Sequence, residues 1–176
     1  MSAKWTWNKC FPYPKSKRQV LEGLRHYDVV DGLLPSVTTI LSDTKSEEKI
    51  KKLAEWRARV GQDEATRITD QSGNRGTIMH NYLEGYLKGQ NRLDLSPVGV
   101  VAGGMATKVM EDGVFDKLTE IWGSEVVLFY PGLYAGQTDV VGIYEGAQSI
   151  VDFKQSNKPK KREWIDDYFM QSAAYA

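Results

Sequence analysis

The chain has 176 residues, and its 23 basic and 23 acidic side chains give a formal net charge of zero. This balance excludes a globally basic protein, so any nucleic-acid surface must be local. The single Cys10 excludes an internal disulfide, and no apolar run is long enough to span a membrane. We therefore expect one cytoplasmic domain in a reducing compartment, large enough to form a real core.

The first part of the chain predicts an irregular segment, then a strand and a helix. Residues 1 to 24 interleave aromatic and basic side chains and show no clear periodicity. Their rings either stack on unpaired bases or pack on the core, which is the commoner fate of tryptophan. Residues 25 to 32 predict a short strand, and Ser36 predicts the N-cap of a helix that ends at Leu41.

The middle of the chain predicts two helices separated by a break. Ser46 predicts the N-cap of a helix that runs to about Asp70. Gly73 and Gly76 predict the end of that helix, because glycine is the commonest helix breaker after proline. Thr77 is then expected to cap the next helix, with apolar residues along one face.

The last part predicts a helix, a strand meander and a final helix. Residues 97 to 122 have helical periodicity and are expected to bend near Gly113. Strands are predicted at 125 to 130, 135 to 144 and 148 to 155, and a helix from about Arg162. The predicted fold class is therefore α/β (α+β), with a central mixed sheet, an antiparallel hairpin, flanking helices and an N-terminal helical part.

The hairpin places two aspartates together. Glu145-Gly146 is a short X-Gly connection between two apolar runs, and such connections are typical of β-hairpins. With a two-residue loop, Asp139 lies directly opposite Asp152, and opposed Cβ atoms are about 5 Å apart. A three-residue loop would instead put Asp139 opposite Phe153 and separate the two carboxylates.

The same face carries Lys154, with Gln137 opposite it. Two adjacent carboxylates repel each other unless a cation lies between them. Mg²⁺ binds one or two carboxylates together with phosphate oxygens, and a nearby lysine can orient a metal-bound water. The pattern predicts metal-dependent phosphodiester hydrolysis. The alternative is an ordinary hairpin whose Asp and Lys face solvent.

The order of several short motifs resembles the PD-(D/E)XK nuclease superfamily. It is closest to the RecB-like exonuclease branch, which includes mitochondrial and phage exonucleases. The resemblance covers roughly residues 25 to 176, which it implies are a single nuclease domain with a restriction-endonuclease-like core. The matching motifs are Leu34-Pro35-Ser36-Val37-Thr38-Thr39-Ile40-Leu41, Gly76-Thr77-Ile78-Met79-His80-x-x-x-Glu84, Glu125, Asp139, Asp152-Phe153-Lys154 and Gln171-x-x-x-Tyr175.

This resemblance implies a metal centre. One or two Mg²⁺ or Mn²⁺ ions are expected, and Lys154 is expected to position the attacking water. From spacing alone, His80 is more often a helix-terminus or core residue than a metal ligand, and Glu125 is either a solvated charge at a strand start or an acid near the metal. The implied metal ligands are His80, Glu125, Asp139, Asp152 and the backbone carbonyl of Phe153.

The resemblance and the basic residues also predict DNA contacts. The run after Lys154 is either a phosphate-binding segment or solvated surface, and the final-helix motif is either a DNA contact or a polar patch. The predicted substrate-binding residues are Arg75, Gln137, Lys158, Lys160, Lys161, Gln171 and Tyr175.

The predicted function is a metal-dependent DNA exonuclease that prefers single-stranded ends. The resemblance implies a role in replication, recombination or repair, in a host cytoplasm if the gene is phage-encoded. The alternatives are a structure-specific endonuclease on the same core and a non-catalytic nucleic-acid-binding module. Cys10 alone cannot build the iron–sulfur cluster of some relatives. Relatives continue beyond the last helix, so we expect either a truncated chain or a compact variant at Ala176.

Overall fold

The computed structural model describes residues 5–176 and divides the chain into two compact units. The sheet unit contains the chain up to Asp43 and Val114–Ala176. The helical unit is Thr44–Gly113. The prediction of a single domain over residues 25 to 176 stays a prediction.

The sheet unit is built on two sheets. Its mixed sheet has the strand order β1-β5-β6-β7, with β1 parallel to β5 and the other pairs antiparallel. Its second sheet is antiparallel, with the order β2-β3-β4. The strands are β1 Thr6–Trp7, β2 Lys17–Leu21, β3 Leu24–Val29, β4 Gly32–Pro35, β5 Leu118–Tyr130, β6 Tyr134–Tyr144 and β7 Ala147–Val151.

The sheet unit also contains the helices α1 and α5. α1, Val37–Asp43, begins where Ser36 Oγ accepts a hydrogen bond from the Thr39 N–H at 3.0 Å. α5, Asp166–Tyr175, follows a short 3₁₀ turn at Arg162–Trp164. The unit's core includes a buried cluster shared by both sheets, comprising Tyr27, Val29, Leu34, Val127 and Ala135.

The helical unit contains three helices. α2 is Glu47–Val60, capped by Ser46, and α3 is Gln62–Leu87. α4, Pro97–Glu111, has Ser96 as its N-cap and proline in its first turn, where a missing N–H costs nothing. Among residues 5–176, none of the helices is long and apolar enough to cross a membrane.

The predicted α+β class is confirmed, with a mixed four-stranded sheet, an antiparallel three-stranded sheet and helices. The expectation that residues 1 to 24 are irregular is wrong where the structure describes them, because β1 and β2 lie there. Residues 1 to 4 of that predicted segment lie outside the described residues. β1 pairs with β5, more than a hundred positions along the chain, so local pattern could not reveal it.

Two predicted helix boundaries are also wrong. The break at Gly73 and Gly76 does not exist, because α3 runs through both. Thr77 is inside that helix, and its hydroxyl donates to the Gly73 carbonyl at 3.1 Å instead of capping a terminus. The break comes at Gly61, whose φ of 88° a helix cannot accommodate. Gly73 and Gly76 stay helical because each costs the helix only about 1 kcal/mol, which the other residues of a long helix offset.

The predicted helix over residues 97 to 122 ends early. α4 stops at Glu111, and Leu118 already begins β5. Leu118 and Ile121 are buried, and their spacing suits a helix, but both pair with β6, and Ile121 also pairs with β1, so the segment is a strand. Tertiary pairing overrides local periodicity here.

The hairpin register is the predicted one. β6 and β7 are joined through Glu145-Gly146, and Tyr144 pairs with Ala147 and Val140 with Val151. β7 ends at Val151, whereas the sequence predicted a strand to residue 155. Asp152 and Phe153 therefore lie just past the ladder, at the end nearest Asp139.

Candidate metal centre

The site of the sheet unit is built around Asp139 on β6 and Glu125 on β5. In the ladder, Ser124 pairs with Val140 and Val126 with Thr138, so Glu125 lies across from Asp139. A carboxylate oxygen of each comes within 4.8 Å of the other. Asp139 is only 7% exposed. At that separation two ionised carboxylates repel by about 3 kcal/mol at an effective dielectric constant of about 20.

The backbone at Glu125 is unusual. Its φ is 54°, in the left-handed region that side chains with a Cβ rarely adopt. Glu22 and Glu145 also have positive φ, but each is followed by a left-handed glycine at a two-residue hairpin turn. Such turns require positive φ at both positions. Glu125 lies inside a strand, so no turn accounts for its conformation.

Hydrogen bonds fix both carboxylates from the flanking chain. The Gln137 side-chain amide donates to Glu125 Oε2 across the β5–β6 pair. The backbone N–H of Phe153 donates to Asp139 Oδ2 at 2.5 Å, where the chain leaves β7. Phe153 itself is buried, and its ring packs edge-on against Phe115 with centroids 5.7 Å apart. A core side chain thus anchors the main chain that holds Asp139.

Asp152 and Lys154 follow on either side of that buried phenylalanine. Lys154 Nζ forms an ion pair with Asp152 Oδ2. The same ammonium group lies 5.6 Å from the centroid of the Tyr168 ring on α5. The lysine is therefore held between a carboxylate and an aromatic face, which restricts an otherwise flexible side chain.

Gln171 and Tyr175 of α5 complete this part of the unit. Both are buried, and the Gln171 amide donates to the Tyr175 hydroxyl at 3.0 Å. Burial raises the pKa of Tyr175 to about 12, and the charges of Asp152 and Asp139 push it the same way, against the hydrogen bond from Gln171. The phenol is therefore protonated at neutral pH, so its hydroxyl is a hydrogen-bond donor near these carboxylates.

Gly136 makes room for that tyrosine. A Cβ built on Gly136 would lie 2.2 Å from Cε1 of Tyr175 and 2.6 Å from its hydroxyl oxygen. Real Cβ atoms do not approach other atoms so closely, so a larger residue at 136 displaces the ring. The motif tyrosine thus depends on a glycine three positions before Asp139 on the same strand.

The donor set of the sheet unit suits a hard divalent cation. Glu125, Asp139 and Asp152 offer only oxygen ligands, the kind that Mg²⁺ and Mn²⁺ prefer. The repulsion between Glu125 and Asp139 is relieved by a cation placed between them. The left-handed backbone that brings Glu125 into position costs about 1–2 kcal/mol, and no hairpin turn requires it.

Comparison with known proteins found a distant relative of this chain. No protein-family model matches the chain. The chain is similar to "Mitochondrial genome maintenance exonuclease 1" of Homo sapiens, with 26% identity over 133 residues. The aligned part is 73% of this chain and 38% of that protein, so the chain spans well under half the length of its relative.

The predicted site residues fall in both units. The sheet unit brings together Glu125, Gln137, Asp139, the Asp152–Lys154 segment and the Gln171/Tyr175 pair. His80 and Arg75 are on α3 of the helical unit, where both are half-buried. Lys158, Lys160 and Lys161 are exposed in the segment before α5. Their roles stay predictions.

Two features were not predicted from the sequence. Tyr168 contacts Lys154, and it lies three residues before Gln171 and seven before Tyr175 on the same helix. That helical spacing is a signal that would have identified it. The sequence suggested that Glu125 begins a strand, whereas it lies within β5 with positive φ, and no sequence pattern gives that conformation.

Proposed function

We propose that this protein is a metal-dependent DNA exonuclease. The observation that carries the proposal is the pair of carboxylates, Glu125 and Asp139, whose oxygens lie within 4.8 Å of each other on adjacent strands. The similarity to a human exonuclease supports a nuclease, and the motif order supports the PD-(D/E)XK superfamily and its RecB-like branch.

The residues divide into ligands and positioning groups. Glu125, Asp139, Asp152 and the Phe153 carbonyl are the proposed ligands of Mg²⁺ or Mn²⁺, and His80 of the helical unit is added on the motif order alone. When bound, the metal supplies a Lewis acid for the phosphodiester and lowers the pKa of its water. Gln137 orients Glu125 through its hydrogen bond. The Phe153 N–H keeps Asp139 in one rotamer.

Lys154 is proposed to act on the attacking water. Its ammonium group is held by Asp152 and the Tyr168 ring, so it enters the reaction already positioned. It also neutralises charge that develops on the phosphate. Water attack at phosphorus with the 3′ oxygen as leaving group gives a 5′-phosphate product. Single-stranded ends are the proposed substrate, in replication, recombination or repair.

The test is degradation of linear DNA labelled at one end, with Mg²⁺ or Mn²⁺ and, in parallel, with EDTA. Wild-type protein is expected to release nucleotides only with metal. Asp139→Asn keeps the shape and the bond from Phe153 but removes a charged ligand, so it is expected to be inactive. Glu145→Gln removes an exposed carboxylate at the other end of β6 and is the matched control. Equal activity of Asp139→Asn and wild type contradicts the proposal.

A circular single-stranded DNA distinguishes the alternatives. An exonuclease needs an end and leaves the circle intact, whereas an endonuclease cuts it. Cleavage of the circle replaces the exonuclease proposal with an endonuclease at the same site. DNA binding without cleavage of either substrate, with or without metal, indicates a non-catalytic binding module.

A further inference from the structure

Two large aromatic side chains follow the proposed catalytic lysine and are exposed to solvent. Trp164 is 56% exposed and Phe169 is 51% exposed. Both belong to the sheet unit, Trp164 at the end of the 3₁₀ turn and Phe169 in the first half of α5. Burial of a ring of this size stabilises a fold by about 2 kcal/mol, and an exposed ring does not contribute this free energy. An exposed pair therefore suggests a binding surface.

Each ring carries a cation. Lys161 Nζ lies 5.4 Å from the centroid of the Trp164 ring, and the Arg162 guanidinium lies 4.1 Å from that of Phe169. Even with a cation over its ring, each of the two residues is more than half exposed. Alternating rings and cations form the kind of surface on which unpaired bases stack while their phosphates meet positive charge.

The local charge favours a polyanion. Residues 154 to 162 contain five basic and no acidic side chains. Acidic residues begin at Glu163, 4.0 Å from Lys161, and Asp166 pairs with Arg162 at 2.5 Å. These ion pairs are exposed and weak, so a phosphate can compete for the cations. Lys158 and Lys160 lie before Glu163 and Asp166 in the chain, in the stretch that has no acidic side chains.

The surface continues to the proposed catalytic lysine. Tyr168, beside Phe169 on α5, is the ring over which Lys154 lies, 5.6 Å from the centroid. Three ring–cation pairs, including that of Lys154, therefore fall within residues 154–169 of one unit.

We propose that Trp164 and Phe169 form a stacking platform for unpaired bases of a single-stranded nucleic acid, with Lys158, Lys160 and Lys161 on its phosphates. This platform extends the proposed function. It rests on that function for the claim that the bound nucleic-acid strand leads to Lys154. Double-stranded DNA hides its base faces, so the platform accepts only single-stranded segments.

The experiment measures binding in EDTA, so that cleavage does not contribute. Fluorescence anisotropy compares an oligothymidylate with an abasic oligonucleotide of the same length and charge. Wild type is expected to bind the oligothymidylate more tightly, because both carry phosphates and only one carries bases. Trp164→Ala and Phe169→Ala are each expected to weaken oligothymidylate binding about fivefold or more, which corresponds to a stacking energy of about 1 kcal/mol per base. Binding of the abasic strand should not change.

Two further variants control this result. Trp164→Phe keeps a stacking ring and is expected to restore most of the affinity. Tyr130→Ala removes an equally exposed ring at the β5–β6 turn, 57% exposed, and is expected to have no effect. Equal losses on both oligonucleotides, no loss on either, or the same loss in Tyr130→Ala would overturn the platform.

The two proposals fail separately. A protein that shows base-dependent binding through Trp164 and yet never releases nucleotides with Mg²⁺ or Mn²⁺ refutes the nuclease and leaves the platform. A protein that cleaves DNA but binds abasic and base-containing strands equally refutes the platform and leaves the nuclease.

Discussion

Two glutamates of the sheet unit share a backbone conformation for different reasons. Glu145 has φ 50° and Glu125 has φ 54°. Glu145 precedes Gly146 in the turn between β6 and β7, and this turn dictates the positive φ. Glu125 is inside β5, across from Asp139, where an ordinary extended residue would complete the strand. Backbone strain that no turn requires, next to a buried acid, indicates a functional position.

The largest expected difference between the two positions is in catalysis. Glu125→Gln is expected to lower the cleavage rate by about 10–100-fold or more, because groups that only support metal ligands already have effects of that size. Glu145→Gln should leave the rate unchanged, since its carboxylate is exposed and pairs with Lys117. Initial rates on labelled linear DNA at saturating Mn²⁺ measure both. Equal rates in the two variants would contradict the functional interpretation of Glu125.

Two glycines, Gly136 in β6 and Gly146 in the turn after β6, sharpen the same contrast. At Gly146 the φ is 79° and the surroundings are open, so alanine should cost about 1 kcal/mol of conformational strain. At Gly136 the new methyl group would clash with Tyr175, and we expect a loss of about 2–3 kcal/mol. Urea unfolding gives both values. A smaller loss at Gly136 than at Gly146 would show that the tyrosine moves without cost.

Tyr175 gives the stability of the sheet unit a characteristic pH dependence. Burial raises its pKa to about 12, above the ordinary value of 10. The folded state keeps a proton that the unfolded state loses, so the free energy of unfolding falls as the pH rises from about 10 to 12. A rise of this size in the pKa of Tyr175 corresponds to at most about 2.7 kcal/mol in the free energy of unfolding. Because Tyr27 also has a raised pKa, part of this slope is expected to persist without Tyr175.

Tyr175→Phe separates this contribution. At pH 8 the variant is expected to be less stable by about 1 kcal/mol, because the Gln171 amide loses its acceptor. Between pH 10 and 12 its stability should fall less steeply than that of wild type, so the two curves converge. Urea unfolding at pH 8, 10 and 11 measures this, and parallel curves would contradict the assignment.

The smallest effect expected is the gain from relieving strain. Glycine adopts positive φ freely, so Glu125→Gly and Glu145→Gly should each stabilise the fold by about 1 kcal/mol without divalent ions. The gain should be larger at Glu125, because the change also removes repulsion from Asp139, whereas at Glu145 it removes the ion pair with Lys117. Thermal unfolding in EDTA tests the order. Destabilisation by Glu125→Gly would show that this backbone is not strained.

The sequence predicted the hairpin because its information is local. Glu145-Gly146 determines the turn, and alternation on the flanking strands determines the register that pairs Val140 with Val151. The order of residues along the chain is therefore enough to place Asp139, Asp152 and Lys154 near one another. The helix start at Ser36 was equally accessible, because its cap depends on the next few residues.

The remaining features depend on distant contacts. β1 exists because it pairs with β5. Leu118 is in a strand because it pairs with β6, and Ile121 because it pairs with both β6 and β1. Gly73 and Gly76 remain helical because a long helix offsets their cost. The register that puts Glu125 across from Asp139 is continuous from the turn between Tyr130 and Tyr134, whereas the bulges of β5 lie before Gly123 and shift only the pairing of residues 118–121. No local pattern predicts those bulges.

The most direct test of the account is the binding of Mn²⁺, measured by the electron paramagnetic resonance signal of the free ion. Wild type and Glu145→Gln are expected to remove Mn²⁺ from solution with the same affinity, and Asp139→Asn and Glu125→Gln to bind it at least about tenfold more weakly. Equal Mn²⁺ binding by all four proteins, or by none, would contradict the claim that Glu125 and Asp139 form a metal centre.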